Sequence, residues 1–196
     1  MEPLVRELAD SIGAYADSPY ALFGHSMGAA VAFELARELR RRGHRQPAHL
    51  FASGLRAPHC PPAAPSIAAL PDAPFLTHVQ ERYGPIAVEV LDAPDLRSLI
   101  IRVLRADLTL IDGYRAADEP PLECAISVLG GTEDPSVSVT ELQAWSRHTT
   151  AAFDLTWISG GHFFVRDSRR DVIEAVLQRL QPSGARSAPT VPAPRA

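Results

Sequence analysis

One pentapeptide, Gly24-His25-Ser26-Met27-Gly28, constrains this chain more than any other feature because of what stands on either side of it. Before it, after the turn cluster Asp17-Ser18-Pro19, Tyr20-Ala21-Leu22-Phe23 is a short apolar run that reads as a buried strand. After it, the pattern predicts a helix from about Ala29 to Arg42, with Gly43 as its stop. A second strand, His49-Leu50-Phe51-Ala52-Ser53, then ends at Gly54. Strand, turn, helix, strand is the crossover unit of a parallel sheet, so the expected fold class is α/β. Glycines flanking the serine allow a sharp turn that lifts its hydroxyl clear, and the helix start offers backbone N–H groups beside it.

A serine hydroxyl is a poor nucleophile at neutral pH. It needs a base, an anion to orient that base, and donors for the oxyanion. In a strand-turn-helix serine hydrolase the acid and the histidine follow in that chain order, at the ends of later strands. Gly130-Gly131-Thr132-Glu133-Asp134-Pro135 follows a strand predicted at 125–129, and Gly160-Gly161-His162 follows one predicted at 155–158. Sites in such sheets lie at the carboxyl ends of the strands, which puts all three groups on one edge. The candidate catalytic residues are therefore Ser26, Asp134 and His162, with Glu133 as a competitor for the acid. Met27 is the candidate backbone oxyanion donor. His25 is expected to pack or bond locally inside the turn; His44, His49, His59, His78 and His148 have no partner spacing and read as surface residues.

The rest of the chain organises around that frame. Leu4, Leu8, Ile12 and Tyr15 have helical spacing over 3–16. Residues 57–74 read as a Pro- and Ala-rich connector, and the stretch from about Asp95 to Tyr114 builds one broad apolar helical face. Asp107 interrupts that face and is expected to bond locally, to Arg105 or to a backbone group. Further helices are predicted over 138–147 and 169–180. The expected division is hydrolase core at 1–57, helical insertion at 58–118, core again at 119–181, and a disordered tail at 182–196 rich in Pro, Ala and Ser.

A net charge of −4 gives no basic patch and no case for nucleic acid. The cluster Arg37 to Arg45 reads as a solvated helix end, since cations are favourable there, ahead of a docking site for an acidic partner. Two cysteines far apart in sequence, with no metal-ligand spacing, fit a reduced, cytoplasmic protein. No apolar run is long enough to span a bilayer, and Met1-Glu2-Pro3 lacks the basic-then-apolar pattern of a secretory signal. No metal or cofactor is called for.

Taken together, these residues resemble the type II thioesterases of polyketide and nonribosomal peptide synthesis. The resemblance rests on Leu22 to Ala29, Phe33-Glu34-Leu35-Ala36, Ser53-Gly54-x-x-Ala57-Pro58, Leu70-Pro71-Asp72, Leu104-Arg105-Ala106-Asp107, Gly130-Gly131-Thr132-x-Asp134-Pro135 and Gly160-Gly161-His162-Phe163-Phe164. It implies an α/β-hydrolase with a mostly parallel sheet, in which the helical insertion is a lid forming an acyl chamber. It also implies hydrolysis of acyl groups from the phosphopantetheine arm of an acyl or peptidyl carrier protein. The chain departs from the family in one respect. Members carry a further N-terminal stretch with the first strands and a glycine-containing oxyanion loop, so an N-terminally incomplete fold is expected, with an apolar edge on strand 20–23. That departure leaves a non-catalytic remnant or carrier-binding module as the alternative reading. Acyl transfer and carboxylester hydrolysis are minor alternatives.

Overall fold

The computed structural model describes residues 1–12, 15, 18–62 and 65–181. The expected disordered tail lies outside the described residues. Four strands, β1 (Ala21–His25), β2 (His49–Ser53), β3 (Ala125–Gly131) and β4 (Phe153–Ile158), form one sheet in the order β1-β2-β3-β4. Every pairing is parallel, with His25 opposite Ser53, Ser53 opposite Leu129 and Gly131 opposite Ile158. That register brings the carboxyl ends of the strands to a common edge of the sheet.

Parallel strands must return through crossovers, and these supply the helices on both faces. The chain from Met27 to Arg41 is rich in Ala, Leu, Glu and Arg, all strong helix formers, and gives α2. Its small residues Ala29, Ala32 and Ala36, with Phe33, close against Leu50, Ala52, Ile126 and Val128. The ring of Trp145 completes this core at 0% exposure, with its indole N–H donating to the Leu55 carbonyl at 2.8 Å. On the opposite face Phe51, Leu129 and Ile158 pack with Val172 and Ala175 of α8 (Arg169–Leu180) and with Phe164 of α7 (Phe164–Asp167). Alternate residues of β2 thus serve opposite cores, as a strand buried on both sides requires; each large side chain so buried contributes about 1.5–3 kcal/mol. A first helix, α1 (Glu2–Ile12), packs through Ala9 on Leu35 and Leu39 of α2.

Between β2 and β3 the chain forms α3 (Asp72–Tyr83), α4 (Val88–Asp92) and α5 (Pro94–Asp112). Phe75 and Val79 of α3 meet Ile101, Leu108 and Ile111 of α5 in a separate small core that reaches α2 through Ala30. The helix predicted over 138–147 is instead a short α6 (Val139–Gln143), opened by a Ser138–Glu141 capping box, and a 3-10 turn from Ala144 to His148. β1 forms one edge of the sheet among the described residues, and its Phe23 is 45% exposed.

The arginine cluster is only in part a solvated helix end: Arg41, Arg42 and Arg45 are exposed, whereas Arg37 is buried. Arg37 is 2% exposed and pairs with Glu34 and Glu119 at 2.7 and 2.8 Å, while Arg40 and Arg41 converge on the same Glu119. Arg42 pairs with Glu38 and Asp10. Periodicity along α2 could not reveal this, because Glu119 lies far away in sequence.

Candidate active site

The turn between β1 and α2 is built by one close approach. A Cβ on Gly24 would lie 2.0 Å from the Gly28 carbonyl oxygen, so only glycine lets β1 pass under the start of α2. A Cβ on Gly28 would meet nothing within 4 Å, so the two glycines do not share the steric role equally. At the apex Ser26 has φ 53 and ψ −126, the only positive φ of a non-glycine residue among those described. Its N–H donates to the Ser53 carbonyl at 2.8 Å, which ties the strained apex to the end of β2. Met27 opens α2, where backbone N–H groups have no partner inside the helix.

Two loops at the same edge bring the other candidates together. Thr132 N–H donates to the Ile158 carbonyl and Glu133 N–H to the Gly160 carbonyl, each at 2.9 Å, which joins the loop after β3 to the loop after β4. Across that join, His162 Nδ1 donates to Asp134 Oδ2 at 2.9 Å, with side-chain exposures of 3% and 0%. Glu133, the competing acid, points to solvent and is exposed. Burial by itself would raise the Asp134 carboxyl, but hydrogen bonds from His162 and Ser136 outweigh it and hold its pKa below the usual carboxylate range. With Nδ1 committed to an ionised carboxylate, the imidazole has Nε2 left for a reacting group.

Ser26 and His162 line two adjoining spaces. One is an apolar cavity of about 480 Å³ lined by Met27, Val79, Ile100, Leu104 and Phe163. The other is a narrow cleft of about 40 Å³ that reaches Ser136, Arg56 and Arg82. Among the described residues the Ser26 hydroxyl takes no hydrogen-bond partner.

Residues 1–182 match the family model described as the thioesterase domain. The chain belongs to that family.

Among its relatives, linear gramicidin dehydrogenase LgrE of Brevibacillus parabrevis is 37% identical over 180 residues, covering 91% of this chain and 68% of the relative. That name describes a dehydrogenase; the family match and the site above are those of a hydrolase. Of the solved structures, the RedJ thioesterase of the prodiginine pathway in Streptomyces coelicolor is 35% identical with a TM-score of 0.80, covering 89% of this chain and 66% of that one. YbtT, a type II thioesterase of the yersiniabactin pathway, is 30% identical with a TM-score of 0.80, covering 90% and 72%. This thioesterase thus groups with the type II thioesterases of nonribosomal peptide and polyketide pathways and is a hydrolase of the serine type.

Tyr83 was not visible in the sequence as part of the thioesterase site, whereas His25 and Asp107 were singled out there. Tyr83 arrives from α3 and sets its ring 4.9 Å from that of His162. His25 shares a hydrogen bond with Ser53 Oγ through Nδ1 at 2.9 Å, and its buried Nε2 has no partner among the described residues. Burial first, and then the neighbouring His162, push the His25 pKa down to about 4, so it is neutral at working pH. Asp107 does not bond to Arg105. Arg105 instead pairs with Asp72, donates to the Ala68 carbonyl and lies over Phe75, while Asp107 lines the apolar cavity, where burial raises its pKa.

The expectation of surface histidines also fails at three positions. His49 is 8% exposed and bonds to Ser127 Oγ. His59 and His148 share a hydrogen bond of 2.8 Å, with His148 wedged against Phe33 and Trp145. Among the described residues no group of three or more His, Cys, Asp or Glu could hold a metal ion, and no helix is long and apolar enough to cross a membrane.

Proposed function

We propose that this thioesterase hydrolyses acyl groups from the phosphopantetheine arm of an acyl or peptidyl carrier protein, with Ser26 as nucleophile, His162 as base and Asp134 as its orienting anion. The observation that carries the reading is the buried Asp134–His162 hydrogen bond beside the strained Ser26, all at one edge of the sheet. Ser26 Oγ attacks the thioester carbonyl carbon while His162 Nε2 takes the hydroxyl proton. The Met27 N–H donates to the oxyanion. Collapse expels the pantetheine thiolate, which takes the proton from His162. Water, deprotonated by the same imidazole, then releases the acid from the serine ester. The free hydroxyl of Ser26 and the open Nε2 of His162 form their bond when substrate fills the cavity, as hydrogen bonds of this type commonly tighten on binding.

Helices α3 to α5 act as the lid in this reading, and the 480 Å³ cavity beneath them takes the acyl chain. Its size falls within the range of pockets that enclose small organic ligands. The carrier protein as partner is supported by the pathways in which the relatives work. A cytoplasmic setting is supported by two free cysteines, Cys60 and Cys124.

The test is to load a carrier protein with an acyl-phosphopantetheine arm and follow loss of the acyl group by intact-protein mass spectrometry. Asp134→Asn should slow deacylation by about 10³–10⁴-fold by leaving the imidazole in the wrong tautomer. Deacylation at the parent rate by that variant would remove Asp134 from the mechanism.

A further inference from the structure

The Asp134–His162 pair has a third member. Ser136 stands two residues beyond Asp134, and its hydroxyl donates to Asp134 Oδ1 at 2.6 Å. Its backbone N–H donates to the same oxygen at 2.9 Å. Its oxygen also lies 3.0 Å from His162 Nδ1, close to the 2.9 Å that separates that nitrogen from Asp134 Oδ2. Because the Ser136 proton is spent on the carboxylate, its lone pairs face the imidazole N–H, which therefore bridges two acceptors. Both carboxylate oxygens are thereby fixed, one by Ser136 and the other by the base.

We propose that Ser136 is a positioning residue for the reaction, holding Asp134 and His162 in register and sharing the Nδ1 proton of His162. This rests on reading Ser26, His162 and Asp134 as the working triad. An aspartate carboxylate turns readily about its last bond. No other side chain among the described residues bonds to Oδ1, so without the hydroxyl only one backbone N–H holds that oxygen, beside the His162 bond at Oδ2. When His162 becomes cationic on accepting the Ser26 proton, its Nδ1–H meets an anionic oxygen and a hydroxyl oxygen already oriented toward it. Such preset acceptors need no reorganisation as charge develops. Ser136 also lines the narrow cleft next to Ser26.

The experiment compares the full chain with Ser136→Ala and Ser136→Thr, each alone and combined with Asp134→Ala. Two readouts are taken: kcat and KM on an acyl-pantetheine thioester, and the downfield proton resonance of His162 Nδ1–H. Ser136→Ala is expected to lower kcat about tenfold, the equivalent of one ordinary hydrogen bond, with KM unchanged. Ser136→Thr, which keeps the hydroxyl, restores kcat. In the Asp134→Ala background, removing the hydroxyl has no further effect on kcat. The Nδ1–H resonance shifts in Ser136→Ala and returns toward its parent position in Ser136→Thr. An unmoved resonance would overturn the proposal, as would an equal loss of kcat with and without Asp134, or a loss that threonine does not repair. The resonance is read without turnover, so a chain that fails to hydrolyse thioesters overturns the functional reading while the Ser136 geometry is still decided.

Discussion

The imidazole rings of His25 and His162 lie 4.9 Å apart between centroids, tilted by 46°. One belongs to the turn that carries Ser26, the other to the loop after β4, so this contact ties the Ser26 turn to the His162 loop. Gly54 makes room for it. Its φ is +62, and a Cβ there would sit 2.7 Å from His25 Cε1 and 3.5 Å from His162 Cε1.

Gly54→Ala should therefore damage both stability and activity. The left-handed backbone costs about 1–2 kcal/mol for a residue with a Cβ. The clash displaces the His25 ring that packs on His162, and a displacement near 1 Å at reacting groups costs about 10²-fold in rate. Thermal unfolding and thioester hydrolysis on the same preparation check both halves. Parent-like kcat would mean that the rings absorb the extra methyl group.

Arg37 is a structural cation that the catalytic chemistry does not use. Arg37→Met should lower unfolding free energy by about 1–3 kcal/mol, since Glu34, Glu119 and the Ala117 carbonyl each lose a hydrogen bond while Glu119 keeps Arg40 and Arg41. The exposed Glu2–Arg6 pair gives the contrast, and Arg6→Ala should stay within about 0.5 kcal/mol of the parent. Urea titrations of the two variants make the comparison. Equal effects would contradict the burial argument.

Two histidines make stability fall in mild acid. Burial, then the charges of His162 for His25 and of His59, Arg37 and Arg147 for His148, bring both pKa values down to about 4. In the unfolded chain a histidine titrates near 6.5. Between these values the unfolded chain binds protons that the folded one refuses, so stability is full above about pH 6.5 and drains as pH falls toward 4. The loss approaches about 2–3 kcal/mol for each histidine, and it stops growing once both states are protonated. Urea midpoints from pH 7.5 to 4.5 should show the slope, and His148→Phe should remove about half of it. A flat profile would place these imidazoles in water.

What the sequence revealed and what it hid divide by distance along the chain. The placing of Ser26, Asp134 and His162 at one sheet edge was legible because each sits beside its own glycine turn directly after an apolar run, a purely local pattern. β1 to β4 and the helices α2, α5 and α8 were legible for the same reason. The capping box at Ser138 is local too, yet the helix it opens is shorter than its apolar pattern suggested. Tyr83, the His59–His148 pair and the Arg37–Glu119 bridge each join residues more than 75 positions apart, and no periodicity encodes such meetings. Ser136 was within reach, two residues past a candidate aspartate, but a serine after Asp-Pro reads as an ordinary turn residue.

The most direct test of the account is hydrolysis of a short acyl-pantetheine thioester by this chain beside its Ser26→Ala variant. The account predicts turnover by the parent and a loss of about 10³-fold or more in the variant, with melting behaviour unchanged. Equal hydrolysis by both proteins, or none by either, would contradict it.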